Sequence, residues 1–339
     1  MDAVTAAVKA PFPWFGGKSA VASEVWRRFG RVSNYVEPFA GSAAMLLGRP
    51  GGAQGIETIN DADGLLSNFW RALAHDPHAV AHHADWPVNE ADLHARHLWL
   101  VGHRERITER LMGDPDWYDV KAAGWWVWGC CTWIGSGWCS GRGPWVSVDG
   151  VLAHRDEVGN AGRGINRQLP HLGSAGMGVH RGAAVWPNLE AVAARLRGVR
   201  VTCGDWTRVL GACLQPCGGK AEALRRGYVT AVFLDPPYGE GFDGAYAATG
   251  GLDHDARIAA DVWRWATVNG DDPTLRIAVA GYDDGRDVPD GWTVHRWRAA
   301  GGYGRQSGGA NTNHHRETVW FSPHCESGAG QLGLFAVAS

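Results

Sequence analysis

The order of apolar and polar positions along the chain predicts an α/β protein. Short apolar or β-branched runs predict strands at 34–37, 55–59, 199–203, 229–234, 275–280, 292–297 and 318–321. Apolar residues at helical spacing or runs of helix formers predict helices at 43–47, 63–73, 94–111, 190–196 and 253–267. Because strands and helices alternate, we expect a mostly parallel sheet with helices packed on it.

Residues 76–184 interrupt this alternation. A segment rich in Trp and Gly covers 124–145, and residues 146–184 have the composition of a loop. Between residues 142 and 182, five arginines stand against three acidic residues. This composition fits a surface loop and a segment that contacts a polyanion about equally well. We therefore expect one sheet domain at 11–75 and 185–323, an insertion at 76–184, and a tail at 324–339.

Composition narrows the class of protein. The chain has 339 residues, 45% of them hydrophobic, which is enough for a sizeable core. We expect no membrane span and no secretory signal, and hence a cytoplasmic protein. The cysteine number, seven, is odd, and no CxxC pair occurs. We expect reduced thiols and no metal site, although Cys213 and Cys217 could share a helical face.

The net charge of -3 does not indicate a nucleic-acid-binding protein. It does not exclude one either, because phosphate contacts depend on local basic patches and not on the total charge. Nineteen tryptophans provide many surfaces on which an aromatic ring could stack.

One tetrapeptide carries the most specific chemistry. Asp235, Pro236, Pro237 and Tyr238 come directly after the apolar strand predicted at 229–234. In open α/β sheets, ligands bind outside the carboxyl ends of the strands. The prolines offer only carbonyl acceptors, the aspartate offers a carboxylate, and the tyrosine offers a flat ring. These groups suit an amino group conjugated to an aromatic ring, although an ordinary proline-rich turn is the alternative.

Two further segments follow the first two predicted strands. The loop from Glu37 to Ala43 contains small residues, which would let a ligand approach the backbone and a helix N-terminus. It lacks the GxGxxG spacing of dinucleotide-binding proteins, which argues against a nicotinamide enzyme. Asn60 and Asp61 end the second strand, where an acid typically accepts hydrogen bonds from ribose. Alternatively, Asp61 or Asp63 caps the following helix.

Two other segments carry weaker signals. The run from Trp14 to Lys18 combines glycines with a positive charge, but it could be an ordinary N-terminal turn. Asp205 and Trp206 follow the strand at 199–203 and would reach the same sheet edge. Turn chemistry after a strand explains this pair equally well.

Together these segments resemble the Dam-like (D12 class) DNA adenine-N6 methyltransferases. Residues 14–18 resemble the family's N-terminal donor-binding motif, and residues 37–43 resemble its methionine-proximal motif. Residues 60–61 match its ribose-binding position, and residues 235–238 match its catalytic DPPY motif. The resemblance spans most of residues 11–323, and the DPPY motif together with the motif order is its specific part.

The resemblance implies a Rossmann-like, S-adenosylmethionine-dependent methyltransferase sheet with an inserted DNA target-recognition region at 76–184. It implies methyl transfer to the N6 amino group of adenine in double-stranded DNA by a monomeric enzyme. The catalytic residues it implies are Asp235, Pro236, Pro237 and Tyr238. The cofactor-binding residues it implies are Trp14, Lys18, Glu37, Phe39, Gly41, Asp61, Asp205 and Asp235.

The chain also departs from the family pattern. Ala43 stands where the family loop often has a second glycine. Residues 125–139 and 301–325 look more like those of phage-encoded relatives, so the target sequence cannot be transferred. Four basic residues near the C-terminus could contact DNA phosphates or could be solvated: Arg305, His314, His315 and Arg316.

Three other functions share parts of this pattern. An N4-cytosine methyltransferase needs the same amine chemistry. A transferase of the same fold could use a modified donor. A DNA-binding protein without catalysis belongs to a different class, and it would have no need of the intact 235–238 tetrapeptide.

Overall fold

The computed structural model of the chain describes residues 8–14, 17–133, 138–139, 145–148, 151–154, 185–211, 214–216, 219–237, 252–297 and 317–327. Within these residues the protein is α/β, as the sequence predicts. Its centre is a seven-stranded sheet formed by β1 (Asn34–Glu37), β2 (Ile56–Asp61), β5 (Val199–Cys203), β6 (Thr230–Leu234), β7 (Leu275–Tyr282), β8 (Thr293–Arg296) and β9 (Glu317–Phe321).

The strand order is β5-β2-β1-β6-β7-β9-β8. The neighbours from β5 to β7 all pair in parallel, whereas β9 runs antiparallel to both β7 and β8. The sheet is thus mixed and mostly parallel, which is compatible with a Rossmann-like fold. Because β9 runs antiparallel to β7, the first residue of β9 lies at the edge of the sheet where the parallel strands end.

The order of the strands reverses between β1 and β6. From β1 the chain continues on one side to β2 and β5, and on the other side β6 is followed by β7. At such a switch point the connections leave in opposite directions, and a crevice opens outside the carboxyl ends of the two strands. Glu37 is the last residue of β1, and Asp235 follows the last residue of β6.

The described helices begin and end close to the predicted positions where the sequence has a clear helical period. They are α1 (Ala22–Phe29), α2 (Ala44–Leu47), α3 (Gly64–His75), α4 (Pro77–Ala84), α5 (Glu90–Gly113), α6 (Val120–Thr132), α7 (Val185–Leu196), α8 (Gly219–Arg226) and α9 (Leu252–Asn269). A 3-10 turn, Trp206–Val209, follows β5. None of the helices in the described ranges is both long and apolar enough to cross a bilayer.

Helices α4, α5 and α6 pack directly on the helices of the sheet domain. Asn68 on α3 exchanges two hydrogen bonds with the backbone of Asp119, at 2.9 and 2.8 Å. Arg71, also on α3, donates to the carbonyl oxygens of Leu111, Asp114 and Trp117, each at 3.0 Å. One hydrophobic cluster includes residues from all of these helices and from the sheet. The domain boundaries at 76 and 184 stay a prediction.

The prediction of a loop throughout 146–184 is wrong where a hairpin forms. Strands β3 (Trp145–Val148) and β4 (Val151–His154) pair antiparallel. The sequence between them is Asp149-Gly150, which is a strong hairpin signal when apolar runs flank it. The high glycine content of the segment obscured this local signal. The arginines at 155, 163, 167 and 181 lie outside the described residues.

Candidate ligand crevice

Asp235 and Lys18 form an ion pair at the reversal point of the sheet. The Lys18 Nζ atom lies 3.1 Å from Asp235 Oδ2. The lysine side chain is only 4% exposed and the aspartate 19% exposed. A buried ammonium group is stable only with a charge partner, so the lysine fixes the position of the aspartate at the mouth of the crevice.

The two residues after Asp235 give this part of the crevice a rigid wall. Pro236 and Pro237 are both buried. Because each proline fixes its φ angle and has no N–H group, the backbone here offers carbonyl oxygens as its only hydrogen-bonding groups. Tyr238, the fourth residue of the predicted catalytic set, lies outside the described residues.

Glu37 lies beneath the crevice at the end of β1. Its carboxyl oxygen Oε2 accepts hydrogen bonds from the Tyr35 hydroxyl at 2.8 Å and from the Leu46 amide at 3.3 Å. Burial raises the pKa of this carboxyl to about 8, and the charges of Asp235 and Asp61 act in the same direction. Glu37 is therefore mostly protonated at neutral pH, and it ties the strand end to α2.

Asp61, at the end of β2, holds the loop between β1 and α2. Its Oδ2 atom accepts a hydrogen bond from the Gly41 amide at 3.0 Å, and its Oδ1 atom accepts one from the Asp63 amide at 2.9 Å. The Ala62 amide is a third backbone donor to this carboxyl group. A carboxylate has about four acceptor sites, so Asp61 can still accept a hydrogen bond from a ligand. Burial raises its pKa to about 6.

The structure separates the two alternatives for the acids after β2. Asp63 is the N-cap of α3, because its Oδ1 atom accepts a hydrogen bond from the Leu65 amide at 2.8 Å. Asp61 does not cap the helix. Asn60 joins two strand ends instead: its amide donates to the carbonyl oxygens of Pro38 and Gly204 at 3.1 and 2.9 Å.

Trp14 covers the loop at Gly41. Gly41 has φ +47°, and a side chain at this position would overlap with the indole of Trp14. The Trp14 ring also packs against Phe12 and Trp126 of α6, with centroids 5.7 and 6.3 Å apart. Trp70 of α3 donates its indole N–H to the Gly41 carbonyl at 3.1 Å. Phe15 and Gly16 of the same predicted motif lie outside the described residues.

Phe39 and Trp206 form an aromatic pair beside the crevice. Their rings are stacked, with centroids 6.0 Å apart and planes inclined by 26°. The preceding residue, Asp205, is exposed and caps the 3-10 turn by accepting a hydrogen bond from the Thr207 amide at 2.9 Å. Turn chemistry accounts for these contacts of Asp205, and its role as a cofactor-binding residue stays a prediction.

Sequence reasoning missed one crevice residue, Glu317. It is the first residue of the reversed strand β9 and is only 5% exposed. Its carboxyl group interacts electrostatically with Lys18 and Asp235. The local signal was weak, because a single acid before the apolar run 318–321 resembles an ordinary strand end. Only the antiparallel pairing of β9 brings this residue to the crevice.

The crevice carries an excess of negative charge. Its described ionisable side chains are Lys18, Glu37, Asp61, Asp235 and Glu317, which are one ammonium and four carboxyl groups. Such a group of side chains favours a ligand with positive charge and with hydroxyl or amino hydrogens to donate. S-adenosylmethionine has a sulfonium cation and ribose hydroxyls, so it fits these groups.

Metal ligands are not grouped in the same way. In the described part of the chain, no three His, Cys, Asp or Glu side chains come together in a geometry that could hold a metal ion. Cys213, Cys217 and the basic residues Arg305, His314, His315 and Arg316 lie outside the described residues.

No protein-family model and no curated protein sequence matches this chain.

Proposed function

We propose that this protein is a DNA methyltransferase that transfers a methyl group from S-adenosylmethionine to the N6 amino group of adenine in double-stranded DNA. One observation carries the proposal: the Lys18–Asp235 pair, at 3.1 Å, lies at the strand-order reversal and is followed directly by buried Pro236. A fixed carboxylate and a rigid carbonyl thus stand side by side at the position where open α/β sheets bind ligands.

Asp235 and Pro236 have complementary tasks in this proposal. The amino group of adenine is a poor nucleophile, because its lone pair is delocalised into the ring. The Asp235 carboxylate and the Pro236 carbonyl each accept one N–H of this group, which favours a tetrahedral nitrogen with a localised lone pair. When a donor is bound, this nitrogen would attack the methyl carbon while the carbon–sulfur bond breaks and its electron pair stays on the sulfur. The extra proton would then leave to solvent. Most of the rate enhancement comes from this positioning.

Asp61 and the loop from Glu37 to Gly41 hold the donor. S-adenosylmethionine, when bound, supplies an electrophilic methyl group on a cationic sulfur. Asp61 accepts hydrogen bonds from the ribose hydroxyls with the lone pairs that the backbone leaves free. The loop from Glu37 to Gly41 lines the donor at the end of β1, and Trp14 covers this loop. Lys18 keeps Asp235 in place and balances its charge.

The target base must leave the DNA helix to reach Asp235, because a paired base is inaccessible to the crevice. Tyr238 follows the two prolines in sequence and is proposed to stack on the flipped base. Residues 76–184 are proposed to contain the DNA target-recognition region. Aromatic and basic side chains in this range suit contact with bases and phosphates.

Replacement of Asp235 tests the proposal. Asp235→Ala removes one of the two amine acceptors, so methyl transfer from a labelled donor to DNA should fall roughly 100-fold or more, as expected when a positioning contact is lost. DNA binding should stay close to that of the wild type. Asp261→Ala, which changes an exposed aspartate that pairs with Arg264 on α9, is the matched control and should retain full activity. Undiminished transfer by the Asp235 variant would refute the assignment.

The same experiments distinguish the other functions. Methylated cytosine in the product would make the protein an N4-cytosine methyltransferase. A heavier product nucleoside would indicate a modified donor. Absence of donor binding in calorimetry, together with retained DNA binding, would identify a non-catalytic DNA-binding protein.

A further inference from the structure

Glu317 reaches the crevice because β9 runs against the other strands of the sheet. Its register partner on β7 is Tyr282, at the carboxyl end of that strand. The carboxyl group of Glu317 therefore lies at the ligand edge, on the β7 side of Asp235. Neither the amine-holding role nor the donor-holding contacts described above use this residue.

Glu317 differs from a structural buried carboxyl group in its hydrogen bonding. The side chain is 95% buried, since it is 5% exposed, and its Oε2 atom has no hydrogen-bond partner among the residues that the structure describes. A buried oxygen without a partner costs free energy unless a ligand or a proton satisfies it. By contrast, the buried Glu37 has its Oε2 atom satisfied by the Tyr35 hydroxyl and the Leu46 amide.

The charges around Glu317 come from several elements. Lys18, in the N-terminal segment, lowers the pKa of Glu317, and Asp235, after β6, raises it. Burial is the largest influence, and the resulting pKa is about 7. Tyr282 of β7 is the neighbour across the strand pair, and Arg296 of β8, opposite Thr318, pairs with Asp283 at 2.6 Å.

We propose that Glu317 is a charge-sensing carboxyl group, which ionises when a cationic sulfonium donor occupies the crevice and is protonated again when the neutral thioether product remains. The inference rests on the proposed function, and it names the residue by which the crevice distinguishes donor from product. Charge balance is the physical reason. One ammonium group faces the carboxyl groups of the crevice, so an added cation stabilises a further carboxylate. Methyl transfer removes the positive charge of the sulfur, and this stabilisation is lost with it.

The proposal predicts a proton-linked difference between two ligands. S-adenosylhomocysteine has the same adenosine and amino-acid groups as S-adenosylmethionine and lacks only the methyl group and the sulfonium charge. Binding of the methionine form near pH 7 should release about half a proton, since a carboxyl group with a pKa of about 7 is half protonated there. Binding of the homocysteine form should release close to none. The apparent affinity for the cationic ligand should fall roughly fivefold from pH 7 to pH 6, as the ionised fraction drops from about one half to about one tenth.

Calorimetry of the full chain with each ligand, in two buffers of different ionisation enthalpy, measures this proton release directly. Glu317→Gln cannot ionise, so its proton release with S-adenosylmethionine should disappear. Its preference for the cationic ligand over the neutral one at pH 8 should fall on the order of tenfold. Glu190→Gln, on the exposed surface of α7, is the matched control and should keep the wild-type values.

The wild type alone also tests the inference, so it remains falsifiable if the variant does not fold. Proton release near neutral pH with the cationic ligand, together with close to none with the neutral ligand, supports the inference. Equal proton release with both ligands, or undiminished release in the Glu317 variant, would overturn the inference and leave the methyltransferase proposal intact. Failure of the wild type to bind either ligand at any pH would instead overturn the proposed function.

Discussion

Gly41 shows how a single backbone conformation can shape the crevice. Its φ of +47° lies in the left-handed region that disfavours a side chain. This conformation turns its amide toward Asp61 and its carbonyl toward Trp70, and it leaves the space that the Trp14 indole fills. The next-but-one residue, Ala43, adopts a similar φ of +51°. This alanine therefore adopts a left-handed conformation that usually favours glycine.

Gly41→Ala should lower donor affinity more than it lowers stability. The left-handed φ costs roughly 1 kcal/mol for any residue with a side chain. In addition, the new methyl group would displace Trp14 and with it the loop that Asp61 holds. The free energy of unfolding in urea and the dissociation constant for S-adenosylmethionine measure the two effects separately.

Gly52→Ala is the control for the backbone effect. Gly52 has φ +75°, and no atom of the described residues lies within 4 Å of a Cβ atom added there. The free energy of unfolding of this variant should fall by a similar amount as a result of backbone strain. Its affinity for the donor should equal that of the wild type. Equal donor affinity in both variants would contradict the role given to the Gly41 loop.

At the residue scale, the sequence could predict which segments reach the crevice but not all of their contacts. Asp235 and Asp61 were both predicted to lie at the carboxyl ends of parallel strands, and both lie at that edge of the sheet. The choice between Asp61 and Asp63 as a helix cap could not be made, because both are good caps in sequence and only coordinates separate them. Glu317 could not be found, since its approach to Lys18 depends on a long-range strand pairing that no local pattern encodes.

Among the elements, β2 is anchored by a buried charge network. Glu57 is 2% exposed, and its Oε1 atom lies 2.8 Å from Arg49 Nη1. Its Oε2 atom lies 2.6 Å from Arg195 Nη1 on α7. The Arg195 guanidinium also donates to the Leu46 carbonyl of α2 at 3.0 Å. This network connects β2, α2 and α7, and therefore fixes the strand that carries Asp61.

Glu57→Gln should destabilise the protein strongly. The substitution leaves two buried guanidinium groups without a carboxylate, which typically costs about 3–5 kcal/mol. Equilibrium unfolding in urea at pH 7 measures the loss. Glu222→Gln, which removes exposed ion pairs with Arg225 and Arg226 on α8, should leave the unfolding curve unchanged within error. A similar small effect for both variants would contradict the structural role of the network.

At the element scale, the sequence predicted the strands of the sheet and helix α5 well, whereas helices α4 and α6 were not predicted. Strand β6 is buried along its whole length, so a continuous apolar run marked it clearly. Helix α6 was not predicted. It begins just before the Trp- and Gly-rich segment and continues into it. Most of its residues are buried, so apolar side chains surround it and no amphipathic period distinguishes it from a loop.

For the whole molecule, the raised pKa values of the crevice predict a pH-dependent stability. Burial raises the pKa of Asp61 to about 6, of Glu317 to about 7 and of Glu37 to about 8. The unfolded chain releases these protons near pH 4 to 4.5. The folded state therefore holds more protons between about pH 4.5 and pH 8, and its free energy of unfolding should fall as the pH rises through that range.

Urea unfolding of the ligand-free protein at several pH values between 5 and 8.5 measures this slope. Each of the variants Glu317→Gln and Glu37→Gln should reduce the slope of unfolding free energy against pH. The reduction should lie mainly below and around pH 7 for Glu317→Gln and should extend up to about pH 8 for Glu37→Gln. A stability that rises with pH over the same range would contradict the raised pKa values. Saturating S-adenosylmethionine should counteract the decline at the upper end, since its positive charge stabilises the ionised carboxyl groups.

Identification of the modified nucleoside tests the central claim most directly. Double-stranded DNA is incubated with the purified protein and S-adenosylmethionine that carries a deuterated methyl group, then digested and analysed by mass spectrometry. We expect N6-methyl-2′-deoxyadenosine with the deuterated methyl group in the wild-type sample and its loss in the Asp235→Ala sample. Unmodified nucleosides from the wild type, or label on a position other than an exocyclic amino group, would contradict it.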